Sequence, residues 1–348
     1  MNETTRHGLT VLAAALATCL LINALVDQAG LKYVQGVIWP TDLPAFQQLP
    51  DEPIDVAVFG SSRASFDLPP DGLDYCLSEA LGRPTNTVNL ARTFATAYDA
   101  EVVIRDLLDD NPPEVLLLAV GPEFVDEHNH QFAAGLAAHA SVAGMPANLA
   151  HARGLSDVFS ALFPLGRGAE SAALYLSGRY DKEARLTWLM LHHGGGQWCY
   201  GSAACEKQNK AYEKLLSDRW DAVSASVLPT LRADRFEPYV VGDGQVHDGL
   251  IGLLDWAAER DVAVTFVKLP MHGDFQEGVP RAVRQAFTRY IDDIAAEYGA
   301  TVFDGHNRDY RTNRKWYIDP DHLNADGAKR FSKTVCRKAI APLLDGGE

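Results

Sequence analysis

The chain has 348 residues, of which 47% are hydrophobic, so it is long and apolar enough to bury a sizeable core. Its 46 acidic residues outnumber its 31 lysines and arginines, and the formal net charge is -15. This balance argues against a nucleic-acid partner, which would need a positive surface. We interpret the acidic excess as a solubilising surface.

The first patterned segment is uncharged from Gly8 to Val26. As a helix it would extend about 28 Å, close to the thickness of a bilayer core. The sequence therefore predicts a transmembrane anchor within residues 1–26. A cleaved signal peptide is the alternative, but Ala24-Leu25-Val26 is a poor cleavage site. Arg6 before the segment and Asp27 after it favour an N-terminus inside and the remaining chain outside the cytoplasm, periplasmic or extracellular.

Residues 27–53 are rich in proline and resemble a juxtamembrane linker, in which Tyr33 and Trp39 would lie at the membrane interface. After this linker, short apolar and β-branched runs alternate with longer helical patterns. The runs predict five strands: Ile54–Phe59, Thr87–Asn89, Val115–Ala119, Val262–Lys268 and Thr301–Phe303. The helical patterns cover Ala95–Leu108, Gly249–Arg260, Arg281–Tyr298 and Ala325–Leu344. The predicted fold class is α/β, with a doubly wound, five-stranded parallel sheet.

The segment between the third and fourth strands is far longer than one crossover helix requires. We interpret residues 124–261 as a largely helical insertion or cap, and residues 54–123 with 262–348 as the catalytic domain. The insertion contains Trp188, His192, His193 and three consecutive glycines from Gly194 to Gly196.

Four cysteines follow the predicted anchor, and two of them flank a short loop of small residues. A disulfide between Cys199 and Cys205 is plausible in an oxidising compartment. Cys76 and Cys336 would form a second bridge or remain buried thiols, because pairing does not follow from sequence. No C-x-x-C pair occurs, which argues against a cysteine metal site.

The first predicted strand ends in a turn of small and hydroxyl residues, Gly60-Ser61-Ser62-Arg63. Active sites of parallel α/β sheets lie beyond the carboxyl ends of the strands, so a serine in this turn would face a substrate. An ordinary turn in which a serine caps the next helix explains the turn equally well.

A second polar turn, Asp319-Pro320-Asp321-His322, follows the last strand and precedes the last helix. A nucleophilic serine needs a base that accepts its proton, and an imidazole base needs a carboxylate that orients it. Ser62, His322 and Asp319 would supply these three groups. The turn would also place Asn324 as the N-cap of the last helix.

These two motifs resemble those of the SGNH (GDSL-like) hydrolases, in which a G-D-S or G-S-S turn follows the first strand and D-x-x-H lies near the C-terminus. The resemblance implies that Ser62 is the nucleophile, His322 the general base and Asp319 its orienting partner. It also implies an SGNH or flavodoxin-like sheet, and no cofactor or metal.

Two further family motifs match less closely. Val88-Asn89-Leu90-Ala91 takes the place of the family's N-x-G, and the Ala91 N–H would bind the oxyanion. Gly121-Pro122-Glu123 takes the place of G-x-N-D, so a carboxylate replaces an expected oxyanion donor. Arg63 is a candidate substitute donor, although a salt bridge to Glu123 or Asp67 is the favoured interpretation.

Two groups of histidines are candidate site residues. His272 follows the fourth strand at the same edge of the sheet, where it would contact substrate or lie in a surface loop. Asp126, His128 and His130 have metal-ligand spacing, but no second ligand cluster accompanies them, so no metal site is predicted.

Anchored proteins of this type resemble those that acylate cell-envelope polysaccharides beside a membrane-bound O-acyltransferase partner. The resemblance implies a serine O-acyltransferase or esterase that acts on acyl esters, acetyl esters above all, of an exported polysaccharide. The alternative is a catalytically weak scaffold or binding subunit of an envelope assembly, which the carboxylate at Glu123 and the long insertion suggest.

Overall fold

The structure is a computed structural model that describes residues 52–91, 95–128, 198–216 and 236–346, with residues 220–221, 223–225 and 228. These residues belong to one compact unit, formed by 45–132 and 188–348. The predicted anchor at 8–26, most of the linker, His130 and the insertion residues Trp188, His192, His193 and Gly194–Gly196 lie outside the described residues. No described helix combines the length and apolar character that crossing a bilayer requires.

Five parallel strands form one sheet in the order β2-β1-β3-β4-β5. They are β1 (Val56–Gly60), β2 (Thr87–Asn89), β3 (Val115–Val120), β4 (Ala263–Lys268) and β5 (Thr301–Asp304). This is the flavodoxin-like order of a doubly wound sheet. The predicted five-stranded parallel α/β fold is therefore confirmed, and each strand begins and ends within two residues of its predicted range.

The central strands β1 and β3 are buried along their whole length, because helices cover both faces of the sheet. The helices are α1 (Ser62–Asp67), α2 (Pro70–Leu81), α3 (Ala97–Leu108), α4 (Ala203–Leu215), α5 (Gln245–Glu259), α6 (Gly273–Gly278), α7 (Arg281–Tyr298), α8 (Arg308–Thr312) and α9 (Ala325–Val335). A π-helical turn, Cys336–Ile340, and a last helix α10, Ala341–Leu344, continue α9 to the predicted end.

Right-handed crossovers place α2 on one face of the sheet and α3, α5 and α7 on the other. The contacts agree with this placement, since α3 packs on α5 and α2 packs on α9. The α3–α5 contact is close: a Cβ added at Gly249 would lie 2.7 Å from the Cα of Tyr98. A glycine is needed at this crossing because a larger residue would separate the two helices.

Two helices of the range 124–261 pack within the same compact unit as the sheet. The side chain of Tyr212 on α4 contacts Phe66 on α1, and α5 is the crossover helix between β3 and β4. Residues 129–197 of the predicted insertion lie outside the described part of the chain, so the limits of the insertion stay a prediction.

Both disulfides that the sequence suggested are present. Cys76 on α2 is joined to Cys336 just beyond α9, and Cys199 is joined to Cys205 at the start of α4. The first bridge links residues 260 positions apart and the second links residues 6 apart.

Candidate active site

The turn after β1 presents the hydroxyl of Ser62 at the carboxyl edge of the sheet. Gly60 ends β1 where a Cβ would lie only 2.6 Å from the carbonyl oxygen of Ala119, so the strand can pack this closely only with a glycine. Ser61 is the extended N-cap of α1, and Ser62 is the first residue of that helix. The N–H of Ser62 therefore has no partner inside the helix, and no described residue accepts it.

The turn between β5 and α9 is held by one carboxylate. Asp319 Oδ1 accepts the N–H groups of Asp321 and His322, each at 2.9 Å. The backbone closes the turn with a bond from Ile318 N–H to the carbonyl of His322 at 2.9 Å. Asn324 then caps α9 through its bond to Gly327 N–H, as predicted.

The two turns meet, although Ser62 and His322 are 260 residues apart. Ser62 Oγ lies 2.9 Å from His322 Nε2, and His322 Nδ1 lies 2.9 Å and 3.0 Å from the two oxygens of Asp319. Asp319 is fully buried and His322 is 6% exposed. Nδ1–H donates to the carboxylate, so in the neutral ring Nε2 is the free acceptor that faces the serine hydroxyl. A nucleophile, a base and an orienting acid have this geometry.

A cluster of three aromatic side chains, Phe66, Trp198 and Tyr212, packs against the His322 ring through Phe66. The ring of Phe66 lies 4.6 Å from the ring of His322, and Phe66 in turn contacts Trp198 and Tyr212. In the sequence, Trp198 precedes and Tyr212 follows the Cys199–Cys205 disulfide. No sequence motif predicts that these two residues lie near the serine. These rings restrict the His322 side chain and exclude water from one side of it.

Arg63 forms salt bridges rather than facing the substrate, as the favoured interpretation held. Its guanidinium lies 3.2 Å from Glu123 and 3.2 Å from Asp321, and it donates to the carbonyl of Leu269 at 3.0 Å. Burial opposes the charge of this side chain, but the carboxylates of Asp321, Glu123 and Asp67 outweigh burial and raise the pKa of Arg63. Arg63, which follows Ser62, is thus paired with the turn after β3 through Glu123 and with the turn of His322 through Asp321.

The Ala91 N–H, which is predicted to bind the oxyanion, has an internal partner in this structure. It donates to Asn89 Oδ1 at 2.9 Å. The Asn89 amide nitrogen donates to the carbonyls of Ala64 and Leu68, so Asn89 ties β2 to α1 and is itself fully buried. Both residues therefore position the nucleophile helix, and the Ala91 N–H is already used.

Glu123 lies in a short 3₁₀ turn after β3 and bonds to Arg63 at 3.2 Å. Its carboxylate can accept hydrogen bonds but cannot donate one unless protonated. Of the groups at Ser62, Ala91 and position 123, the Ser62 N–H is therefore the one donor without a partner among the described residues.

His272 lies beside the turn that carries Asp319 and His322, which we call the triad turn. It forms no described bond to the triad of Ser62, His322 and Asp319. Its N–H donates to the carbonyl of Pro320 at 3.2 Å, and its ring packs between Trp220 and Tyr317. Nδ1 accepts the N–H of Asp274 and caps α6. The structure thus gives His272 a structural role in holding the turn.

Asp67, which the sequence predicts only as a partner of Arg63, also belongs to the site. It is fully buried at the end of α1 and accepts the N–H of Leu323, the residue after His322, at 3.0 Å. Burial raises the pKa of Asp67 well above its usual range, and the N–H of Leu323 and the charge of Arg63 only partly oppose this rise. Nothing in the spacing around Asp67 signals this contact, because Leu323 is 256 residues away.

The metal-ligand spacing at Asp126 and His128 has a local explanation. Asp126 Oδ1 accepts the N–H groups of His128 and Val240. Within the described ranges, the one group with the spacing of a metal site is Asp71, Cys199 and Cys205, and its two sulfurs are joined in a disulfide.

No protein-family profile and no curated protein matches the chain. A search of solved structures finds a proposed lipolytic protein of the G-D-S-L family from Desulfitobacterium hafniense DCB-2, at 11% identity and a TM-score of 0.37, covering 81% of this chain and 97% of that one. A score this low supports no inference. The chain's own strand order is that of a doubly wound, flavodoxin-like sheet, and its two polar turns meet at the carboxyl edge of that sheet.

Proposed function

We propose that the protein is a serine esterase or O-acyltransferase that acts through an acyl-enzyme at Ser62. The observation that supports this proposal is the hydrogen-bonded chain from Ser62 Oγ through His322 to Asp319, with each link between 2.9 and 3.0 Å. A buried carboxylate and a nearly buried imidazole on a serine hydroxyl make a nucleophile at the edge of a doubly wound sheet.

The first half-reaction transfers the acyl group to the enzyme. Ser62 Oγ attacks the ester carbonyl carbon while its proton passes to His322 Nε2, and Asp319 stabilises the imidazolium. The carbonyl oxygen becomes an oxyanion that accepts the Ser62 N–H. When the C–O bond to the alcohol breaks, His322 returns the proton to the leaving oxygen.

The second half-reaction releases the acyl group. Water or a sugar hydroxyl gives its proton to His322 and attacks the acyl-enzyme, and the proton then returns to Ser62 as the bond to Oγ breaks. Water yields hydrolysis, whereas a sugar hydroxyl yields transfer. Removing one oxyanion donor usually costs about 10²–10³ in rate, so the engagement of Ala91 and the carboxylate at Glu123 favour a slow, selective enzyme.

The proposed substrate is an acyl ester, acetyl above all, of an exported envelope polysaccharide, and the proposed location is outside the cytoplasm at the end of an anchor at residues 8–26. Two disulfides support an oxidising compartment, because such bonds are rare in the cytosol. A membrane-bound O-acyltransferase as partner remains part of this proposal.

A second candidate is an anchored scaffold with little turnover. The replacement of an oxyanion donor by Glu123 and the internal use of the Ala91 N–H favour it. The two candidates differ in whether Ser62 is chemically reactive.

Covalent labelling with a fluorophosphonate probe distinguishes them. The full chain in detergent should be labelled in the wild type, and Ser62→Ala should abolish labelling because the nucleophile is lost. Ser61→Ala is the matched control, since this neighbouring hydroxyl makes no side-chain capping bond and its loss should leave labelling intact. Absence of label on folded wild-type protein would favour the scaffold instead.

A further inference from the structure

A large groove at the carboxyl edge of the sheet is lined by arginines. It has a volume of about 730 Å³ and runs along α7 past the ends of β3, β4 and β5, where Pro122, Met271 and Asp304 line it. A smaller cavity of about 260 Å³ shares Met271, Gln276 and His306 with it and extends along α8. We call the two together the arginine groove.

The groove lies at the edge of the sheet that carries the triad. Met271 precedes His272, whose N–H bonds to Pro320 inside the triad turn. Pro122 precedes Glu123, which bonds to the residue after Ser62. A chain molecule bound with one unit at Ser62 would therefore continue towards this groove along one edge.

The groove is positively charged although the whole chain carries -15. Arg281, Arg284 and Arg289 of α7 line the larger cavity, and Arg308 and Arg311 of α8 line the smaller one. Among the described residues, no carboxylate forms a salt bridge with the three arginines of α7; Arg311 is paired with Glu277. Several unpaired guanidiniums around one cavity repel one another unless an anion joins them.

Two buried nitrogens belong to residues that line the larger cavity. Arg284 Nε and His306 Nε2 have no hydrogen-bond partner among the described residues. His306 Nδ1 lies 3.0 Å from Asp304 Oδ1. Asp304 is the one acidic residue among those that line the larger cavity, and it is therefore already paired. Arg284 Nε–H is a donor, and a buried N–H donor normally has an acceptor, so its position indicates an acceptor that comes from a ligand. When His306 Nδ1–H donates to Asp304, His306 Nε2 is an acceptor in the neutral ring and gives no such indication.

We propose that the arginine groove is a subsite that binds the anionic groups of the substrate, which makes the substrate an anionic polymer. Guanidinium groups bind carboxylates and phosphates in a bidentate manner, and a repeating anion matches arginines spaced along a helix. An uncharged polysaccharide would leave these charges unmatched. This inference deepens the proposed function and depends on it, because it assigns the same site its substrate class.

Binding measured by calorimetry on the full-length Ser62→Ala protein in detergent separates this inference from the acyl-enzyme chemistry. The probes are an oligogalacturonate hexamer, a glycerol-phosphate oligomer of similar charge and neutral maltohexaose. We expect an anionic oligomer to bind at least about tenfold tighter than maltohexaose, and the preference to fall as salt rises from about 50 to about 500 mM. The better of the two anionic probes tells whether carboxylate or phosphate is the natural group.

The variant arm replaces Arg281, Arg284 and Arg289 with glutamine and should remove about tenfold or more of the affinity for the anionic probe. A triple change of Lys207, Lys210 and Lys214 to glutamine on α4 removes the same charge elsewhere and should leave that affinity unchanged. If the triple arginine variant unfolds, the double variant of the exposed Arg281 and Arg289 takes its place. Two results would overturn the inference: equal binding of maltohexaose and both anionic probes, or unchanged affinity in a folded arginine variant. Failed serine labelling with intact anion binding would overturn only the proposed acyl-enzyme chemistry.

Discussion

The side chain next to the nucleophile holds the two halves of the site together. Arg63 is 1% exposed and contacts Glu123 in the turn after the third strand and Asp321 in the triad turn. The resemblance noted in the sequence implies an oxyanion donor at the position of Glu123. In the structure Glu123 is part of a buried ion-pair network with Arg63 and Asp321 instead.

Removing this charge should be costly because it leaves two carboxylates buried near each other. We expect Arg63→Met to lower the free energy of unfolding by about 3–5 kcal/mol, measured by urea denaturation. Arg63→Met with Glu123→Gln should recover part of that loss. Arg83→Met is the comparison, since Arg83 is half exposed in its pair with Asp55 and its loss should cost about 1 kcal/mol or less. Equal losses for the two single variants would show that Arg63 is not the central counter-charge.

At the scale of elements, strand ends carry the chemistry and helices hold them in register. The helix Pro70–Leu81 was not among the predicted elements, although Pro70 at its first turn is a position that helices tolerate well. This helix places Asp74 against the start of β2, where Asp74 Oδ1 accepts the hydroxyls of Thr87 at 2.6 Å and Thr85 at 3.2 Å. Burial raises the pKa of Asp74 to about 6, more than these hydrogen bonds lower it.

A raised carboxyl pKa means that the folded state binds the proton more tightly than the unfolded chain does. Stability from Asp74 is therefore greatest at low pH and is lost as pH rises from about 4 to about 6, by about 1.4 kcal/mol per pKa unit. Asp74→Asn keeps an acceptor oxygen without the charge, so it should stabilise the protein by about 1–3 kcal/mol at pH 7 and by less near pH 4. Urea denaturation at the two pH values measures this, with Asp293→Asn on α7 as the control for losing one charge. A difference that stays constant with pH would contradict the prediction.

Over the whole molecule, the chain must return from its C-terminal part to its first strand to complete the site. Ser62 meets His322, Asp67 meets Leu323 and Cys76 is joined to Cys336, and each pair is 256 to 260 residues apart. The disulfide closes a loop of the same length as the one between Ser62 and His322. It therefore keeps the two ends of the site near each other in the unfolded chain.

The two disulfides should therefore differ in their effect on stability. In the loop-entropy description, Cys76–Cys336 contributes up to about 5 kcal/mol and Cys199–Cys205 about 2 kcal/mol, because the entropy of closing a loop grows with its length. The pair Cys76→Ala with Cys336→Ala should lower the denaturation midpoint more than Cys199→Ala with Cys205→Ala, measured without reductant. In dithiothreitol, which reduces both disulfides, the denaturation midpoints of the wild type and the two double variants should become nearly equal. A larger loss from the short loop would contradict this account.

The sequence by itself determined the α/β class, the five strands to within two residues and the two turns that meet, because buried parallel strands and their polar ends are local patterns. It also predicted that Asp319 orients His322, because the two residues are three apart on one turn, and it favoured a salt bridge between Arg63 and Glu123 or Asp67. Only the tertiary structure decided that Ala91 N–H donates to Asn89, that Arg63 also pairs with Asp321, and that five arginines line one groove. These outcomes depend on which distant side chains share a buried volume, and no periodicity or spacing along the chain encodes that.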